Sequence, residues 1–241
     1  MALRNEAEHK IAVHCRGIIK IYGSGDTRVM ALRGVDLEVC LGELLMLVGP
    51  SGSGKTTLIS IIAGILDPDG GACVVLDRNF QQMGTADRAR FRGRSVGFVF
   101  QSFNLLPSIT IAMNVAVPLL INGIPRKSAD ARARAILESV GLGARADALP
   151  AQLSGGQQQL VAIARALVHE PKLIVCDEPT SNLDHATGHK VMEILRRVAQ
   201  SPDRALLVVT HDARIFGFAD RIARMDDGKV IEIRKDAAGS Q

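Results

Sequence analysis

The run Gly49-Pro-Ser-Gly-Ser-Gly-Lys55-Thr56 constrains this chain most, because of what flanks it. Ahead of it stands the apolar pentamer Leu44–Val48, and after it Thr57–Leu66 carries apolar residues at helical spacing. A glycine-rich loop between strand and helix lets backbone N–H groups curl around an anion, and the helix adds the positive end of its dipole. Lys55 then supplies charge for the β- and γ-phosphates of a nucleoside triphosphate, and Thr56 a hydroxyl for Mg²⁺. Gly49, Pro50, Ser51, Gly52, Ser53, Gly54, Lys55, Thr56 and Thr57 are therefore candidate phosphate-binding residues.

On either side of this loop the hydrophobic pattern changes period. Residues 11–48 alternate apolar and polar side chains and break at Gly23-Ser-Gly-Asp26 and Gly42-Glu43, which predicts short antiparallel strands ahead of Leu44–Val48. Ala72–Leu76 and Val96–Phe100 are further runs of strand length, the second ending at Gln101. From about 102 to 165 the period turns helical, and Ser128–Val140 reads as a helix with Ser128 as N-cap and Gly141 as its stop. Leu173–Cys176 and Ala205–Thr210 return to strand-like runs, separated by the amphipathic stretch Asp184–Ala199. Such alternation implies a mainly parallel sheet. Asp227-Gly228, between Arg221–Met225 and Lys229–Ile233, signals a hairpin. The expected organisation is one catalytic unit, with a core over about 11–101 and 166–233, a helical lobe inserted at about 102–165, and a flexible polar tail at 234–241.

Composition removes several classes. With 47% apolar and 22% charged residues among 241, the chain can bury a core. Net charge is +4, but the basic residues read as scattered and aromatics are only 3%, so a nucleic-acid footprint is missing and no nucleic-acid partner is expected. Cys15, Cys40, Cys73 and Cys176 lack metal-ligand spacing and read as reduced thiols of a cytoplasmic protein. No apolar run approaches the ~18 residues of a membrane span. The charged N-terminus MALRNEAEHK lacks the apolar stretch of a signal peptide.

Hydrolysis of a triphosphate needs a carboxylate to orient the metal and a group to position water. Leu173-Ile-Val-Cys-Asp177-Glu178 offers both where an apolar strand ends: Asp177 for the Mg²⁺ shell, and Glu178 as general base. Two acids after a strand are also what an ordinary exposed turn carries. His211 directly follows the run Ala205–Thr210 and is placed to sense the γ-phosphate; Gln101 is a strand-end amide able to ligate Mg²⁺ or contact the water. A second anion-binding helix end opens at Leu153-Ser-Gly-Gly-Gln157, ahead of Leu160, Ile163, Ala164 and Leu167 at helical spacing. Ser154 and Gln157 form a capping-box pattern, while Gly155 and Gly156 permit close approach to an anion. Spacing does not say whether the two helix ends meet on one nucleotide.

Together these segments resemble the ABC ATPase family over about residues 12 to 233. Tyr22 looks like the aromatic that stacks on adenine, Gly49–Thr56 like the phosphate loop, and Gln101 like the Q-loop. Leu153–Gln157 resembles the LSGGQ signature, Leu173–Glu178 the Mg²⁺ and base strand, Ser181-Asn-Leu-Asp184 the D-loop with Asp184, and His211 the switch histidine. The resemblance implies an α/β fold: a P-loop NTPase of ABC type, with a mainly parallel sheet core, an antiparallel β lobe and an inserted α-helical subdomain. It implies ATP and Mg²⁺ as ligands and a head-to-tail homodimer, in which Ser154, Gly155, Gly156 and Gln157 of one copy close over ATP held by the other. It further implies a membrane-spanning subunit docked on the helical lobe near Gln101–Val115, which would hold the chain at the cytoplasmic face of a bacterial inner membrane. Phe103-Asn-Leu-Leu-Pro107 and Asp177–Asp184 look most like the lipoprotein-release, macrolide-efflux and cell-division branch. The chain departs from the family pattern at Leu160, where Arg is usual, and at Met113, where Glu is common.

Two other functions share parts of this pattern. The ATPase of an uptake system shares every catalytic motif and is separated from the efflux branch only weakly. An ATP-gated nucleic-acid clamp requires a long coiled-coil insertion or two ATPase units joined by a basic linker, and this chain shows neither.

Overall fold

In the computed structural model, which describes residues 10–235, the alternation over 11–40 forms two twelve-residue strands, β1 (Ile11–Tyr22) and β2 (Val29–Cys40). They pair antiparallel from Ile11↔Cys40 to Tyr22↔Val29. These strands are longer than expected because an irregularity at Gly17, φ +58°, lets the pairing resume instead of ending it. β3 (Leu44–Val48) then leaves that sheet for a second one.

The rest of the chain runs α1 (Lys55–Ile62), β4 (Gly70–Val75), β5 (Arg78–Asn79), α2 (Thr85–Ser95), β6 (Val96–Val99) and α3 (Ile111–Ile121). It continues with α4 (Arg126–Ser139), α5 (Gly155–Leu167), β7 (Leu173–Asp177), α6 (His185–Ala199), β8 (Ala205–Thr210), β9 (Arg221–Asp226) and β10 (Lys229–Lys235). One sheet is antiparallel, in the order β2-β1-β4-β5. The other has six strands in the order β10-β9-β3-β8-β7-β6, parallel except for β10.

The pleat of β3 divides the interior into two cores. Leu45 and Leu47 point into one, with Ile18, Leu37, Val75 and the α1 residues Leu58 and Ile62, so α1 lies between the two sheets. Leu44, Met46 and Val48 point into the other, with Val115 of α3, Leu137 of α4, Ile163 of α5 and Leu195 of α6. β3, β7 and β8 are covered on both faces, which is why Leu44–Val48, Leu173–Cys176 and Ala205–Val209 read as unbroken apolar runs.

Several boundaries differ from the sequence reading. α1 begins at Lys55, not Thr57, because Gly54 at φ +98° turns the chain into the helix two residues earlier. α4 begins at Arg126 behind Pro125, whose fixed φ of −55° starts the helix, so Ser128 sits inside the first turn and caps nothing. Gly141, φ +79°, does follow the end of α4. α2 has no counterpart in the sequence pattern, since none of its residues is buried and it shows no apolar periodicity. Asp227 and Gly228, both at positive φ, make the hairpin turn between β9 and β10. Arg234 and Lys235, assigned to the tail, belong to β10; residues 236–241 and residues 1–9 of the charged N-terminal stretch lie outside the described residues. Among the described residues no helix is long and apolar enough to cross a membrane. All four cysteines are free thiols, with Cys15 and Cys73 facing each other across β1 and β4 at 3.3 Å.

Candidate active site

The loop from Gly49 to Thr56 joins β3 to α1 and is shaped by three glycines at positive φ, 153° at Gly49, 80° at Gly52 and 98° at Gly54. A Cβ on Gly49 would lie 2.0 Å from the Met225 carbonyl oxygen, and one on Gly54 2.5 Å from that of Ala31, so neighbouring backbone admits only glycine at both. Nothing lies within 4 Å of a Cβ on Gly52, which leaves that side of the cradle open. The β9–β10 turn clasps the loop from behind, Gly228 N–H donating to the Ser53 carbonyl at 3.1 Å. Ser53 Oγ is buried without a partner among the described residues. Lys55 Nζ donates to the Gly49 and Pro50 carbonyls, both at 2.8 Å, and so curls over the cradle from the first turn of α1. Burial pushes its ammonium pKa down, against the upward pull of Glu178 and Asp177.

Next along the sheet, β7 ends at Asp177, which is 7% exposed. Thr56 Oγ donates to Asp177 Oδ1 at 3.3 Å. Burial raises the Asp177 pKa, as does Glu178, while the Thr56 bond and Lys55 lower it. A hydroxyl and a carboxylate side by side are the hard oxygen donors that Mg²⁺ takes together with phosphate oxygens, so the residues present fit that ion. Glu178 stands one residue on at φ +48°, a region that costs a non-glycine residue about 1–3 kcal/mol. Its N–H is held by the Val209 carbonyl of β8 at 2.9 Å. Its Oε1 meets His211 Nδ1, one residue beyond β8, at 2.7 Å. A carboxylate only accepts, so the Nδ1 carries the proton and Nε2 is left for another partner. Two neighbouring parallel strand ends thus present a pair of acids and a histidine beside the glycine loop.

The remaining candidates are more dispersed. Gln101 is exposed beyond β6; its carbonyl accepts from Asn182 Nδ2 at 3.2 Å, and its side chain has no hydrogen bond among the described residues. Tyr22 ends β1 with 44% of its surface exposed and Lys20 Nζ 5.8 Å from its ring centre. Ser154 and Gln157 make the capping box at α5: Ser154 Oγ accepts from Gln157 N–H and Gln157 Oε1 from Ser154 N–H. Gly155 and Gly156 differ. A Cβ on Gly156 would come 2.7 Å from Thr187 of α6, so that glycine serves packing inside the chain, whereas one on Gly155 would meet nothing closer than 3.8 Å. Asp184 caps α6, accepting from Thr187 N–H and hydroxyl, which hold its carboxyl below the ordinary range. Among the described residues no hydrogen bond or ion pair joins Ser154–Gln157 to the Gly49–Thr56 loop.

Three residues that sequence reasoning passed over position these loops. Arg165 of α5 donates to the Asn104 and Phe103 carbonyls at 2.6 and 2.7 Å. Asn182 ties Gln101 to the Asp184 loop. Asn114, fully buried on α3, bonds Leu106 and Ile109. Of these, only Asn114 had a sequence signal, as the one polar residue in an apolar helix.

A family model described as "ABC transporter" matches residues 32–181. The chain belongs to the ABC transporter family. The lipoprotein-releasing system ATP-binding protein LolD of Chromohalobacter salexigens is 42% identical over 226 residues, covering 94% of this chain and 95% of the relative. The protein of the same name from Geobacter metallireducens is 46% identical, covering 89% and 95%. Among solved structures, the dimeric post-hydrolysis state of the ATP-binding cassette MJ0796 bound to ADP and Pi superposes with a TM-score of 0.87 at 36% identity, covering 92% of this chain and 98% of that one. The P-loop NTPase fold of ABC type is thereby established, and with it the chain's class as an ATP-binding, ATP-hydrolysing cassette of a transporter. Leu160, where the family usually has Arg, is buried in the helical-lobe core; Met113 is half-buried against the same core.

Proposed function

We propose that this ABC ATPase works as a head-to-tail homodimer that binds ATP and Mg²⁺ between copies and drives a separate membrane-spanning subunit in efflux or mechanical work. The observation that carries the reading is the adjacency of two pairs, Thr56 with Asp177 and Glu178 with His211. Tyr22 stacks on adenine, and Gly49 through Thr57 hold the phosphates. Lys55 exchanges its carbonyl partners for phosphate oxygens. Thr56, Asp177 and Gln101 hold Mg²⁺, which when bound neutralises charge on those oxygens. Glu178 accepts a proton from the attacking water as the water oxygen bonds to the γ-phosphorus and the bond to the β–γ bridging oxygen breaks. His211 orients that carboxylate and reaches toward the γ-phosphate. Ser154, Gly155, Gly156 and Gln157 of the second copy close the site, and the exposure of Ser154 and Gly155 at the start of α5 supports this. Asp184 lines the contact between copies.

The membrane subunit docks on the helical lobe near Gln101–Val115 and keeps the chain at the cytoplasmic face of the bacterial inner membrane. Similarity to two LolD proteins supports the efflux or mechanical branch. Purification from source membranes tests this. The expected result is one integral membrane protein retained in stoichiometric amount, whose presence raises ATP turnover, with retention weakened by Met113→Glu while the isolated chain stays folded and active. Recovery of the chain alone, with turnover indifferent to membranes, would contradict it.

A further inference from the structure

The chain's net charge is not spread over its surface. Of the +4 carried by the whole sequence, residues 78–95 alone supply +4, five arginines against Asp87, so the rest of the chain sums to zero. The scatter expected from the sequence fails at this segment. It forms β5, α2 and the turn between them, and no residue of α2 is buried. Arg88 pairs with Asp67 at 2.7 Å and Arg92 donates to the Gly64 carbonyl at 3.0 Å, whereas Arg90 makes only a solvent-exposed pair at 2.8 Å with Asp87, and such a pair is weak enough to yield to a phosphate. Arg78 and Arg94 have no ion pair among the described residues. Arg78, Arg90 and Arg94 border one concavity of about 430 Å³, with Asp87 as its one acid and Met83 and Phe91 in its lining.

An apolar projection adjoins this basic surface. Asn122 at the end of α3 donates to the Gly93 carbonyl of α2 at 2.7 Å, so the two helices meet there. The residue before it, Ile121, is 76% exposed, more than any other large hydrophobic side chain among the described residues. Exposed Arg126 and Lys127 open α4 directly after. Guanidinium groups that match phosphate geometry, on a helix that meets the end of α3 beside a protruding aliphatic side chain, fit an anionic bilayer surface: arginines to headgroup phosphates, isoleucine to the acyl boundary. A single-stranded nucleic acid shares the phosphate chemistry but wants stacking rings. Phe91 is the one aromatic side chain in the lining, half-buried and packed T-shaped against Phe80 at 5.7 Å, so no row of stacking rings is offered.

We infer that the α2 surface with Ile121 is a direct binding site for anionic phospholipid, separate from any protein contact with a membrane subunit. The test is sedimentation of the purified chain with vesicles of phosphatidylcholine, with and without phosphatidylglycerol, and with single-stranded RNA as soluble competitor. Binding is expected only to the anionic vesicles, weakening as salt rises. It should fall about fivefold for each arginine removed and about a hundredfold in R78A/R90A/R94A. Ile121→Ser should weaken it at equal charge. ATP turnover in solution should be unchanged in these variants, since none touches the nucleotide site, which also serves as the folding control. Equal sedimentation with both vesicle types, undiminished binding by a folded R78A/R90A/R94A protein, or displacement by RNA at concentrations that leave free vesicles unsaturated would each overturn the assignment. Because no membrane subunit is present, failure here leaves the transporter reading untouched.

Discussion

Glu178 is held in an uncommon backbone conformation by two partners, the Val209 carbonyl and His211, and this fixes where its carboxylate stands relative to Asp177. Such strain persists only where the surroundings over-determine it. Glu178→Gln keeps the size and the backbone bonds but loses the ability to accept a proton. Hydrolysis is expected to fall by about 10²–10⁴ while ATP affinity is retained, as read by phosphate release and nucleotide titration. Lys55→Ala is expected to do the reverse, weakening ATP binding itself by about tenfold to a hundredfold, because it deletes a charged donor at the cradle. Turnover near wild type in the first variant, or unchanged affinity in the second, would reassign these residues. The positions of Asp177, Glu178 and His211 were legible because they stand where buried strand runs stop, Asp177 and Glu178 directly after Leu173–Cys176 and His211 after the run that closes on Thr210. Arg165 and Asn182 were not legible, because their partners Asn104 and Gln101 lie 61 and 81 residues away in sequence.

At the scale of elements, the turn from α5 to β7 is joined to β6 by His169. Its Nε2 donates to the Val96 carbonyl at 3.1 Å, so Nδ1 is the bare nitrogen, buried with no partner among the described residues. Burial holds the His169 pKa below the ordinary 6.5, the Val96 bond opposes this, and Arg132 lowers it further. The native state therefore takes up this proton less readily than the unfolded chain. The resulting stability is fully present above pH 6.5 and is lost as pH falls below that value. His169→Gln keeps a donor for Val96 and removes the titration. Thermal melts across this window should show wild type losing stability with acid more steeply than the variant; parallel curves would remove His169 from that role. Legibility at this scale followed burial. β3, β7 and β8 are covered on both faces and announced themselves, whereas α2 buries nothing and left no periodic signal. At α4, Pro125 and not Ser128 sets the start, a choice that backbone φ decides and side-chain preference does not.

Across the whole molecule, the parallel sheet brings the Gly49–Thr56 loop, Asp177–Glu178 and His211 to one end, while Ser154–Gln157 opens the helical lobe without a bond to that loop. Neither the sequence nor one folded copy joins these two helix ends. The central claim is that a second copy does so, with ATP between them. The most direct measurement is the solution mass of Glu178→Gln by light scattering, with and without saturating ATP and Mg²⁺, alongside the same chain carrying Ser154→Arg. The account predicts a monomer without nucleotide, a dimer with it, and a monomer that still binds ATP when Ser154→Arg blocks the far side of the sandwich. A Glu178→Gln chain that stays monomeric at high protein concentration with ATP and Mg²⁺ bound, or a dimer indifferent to Ser154→Arg, would contradict it.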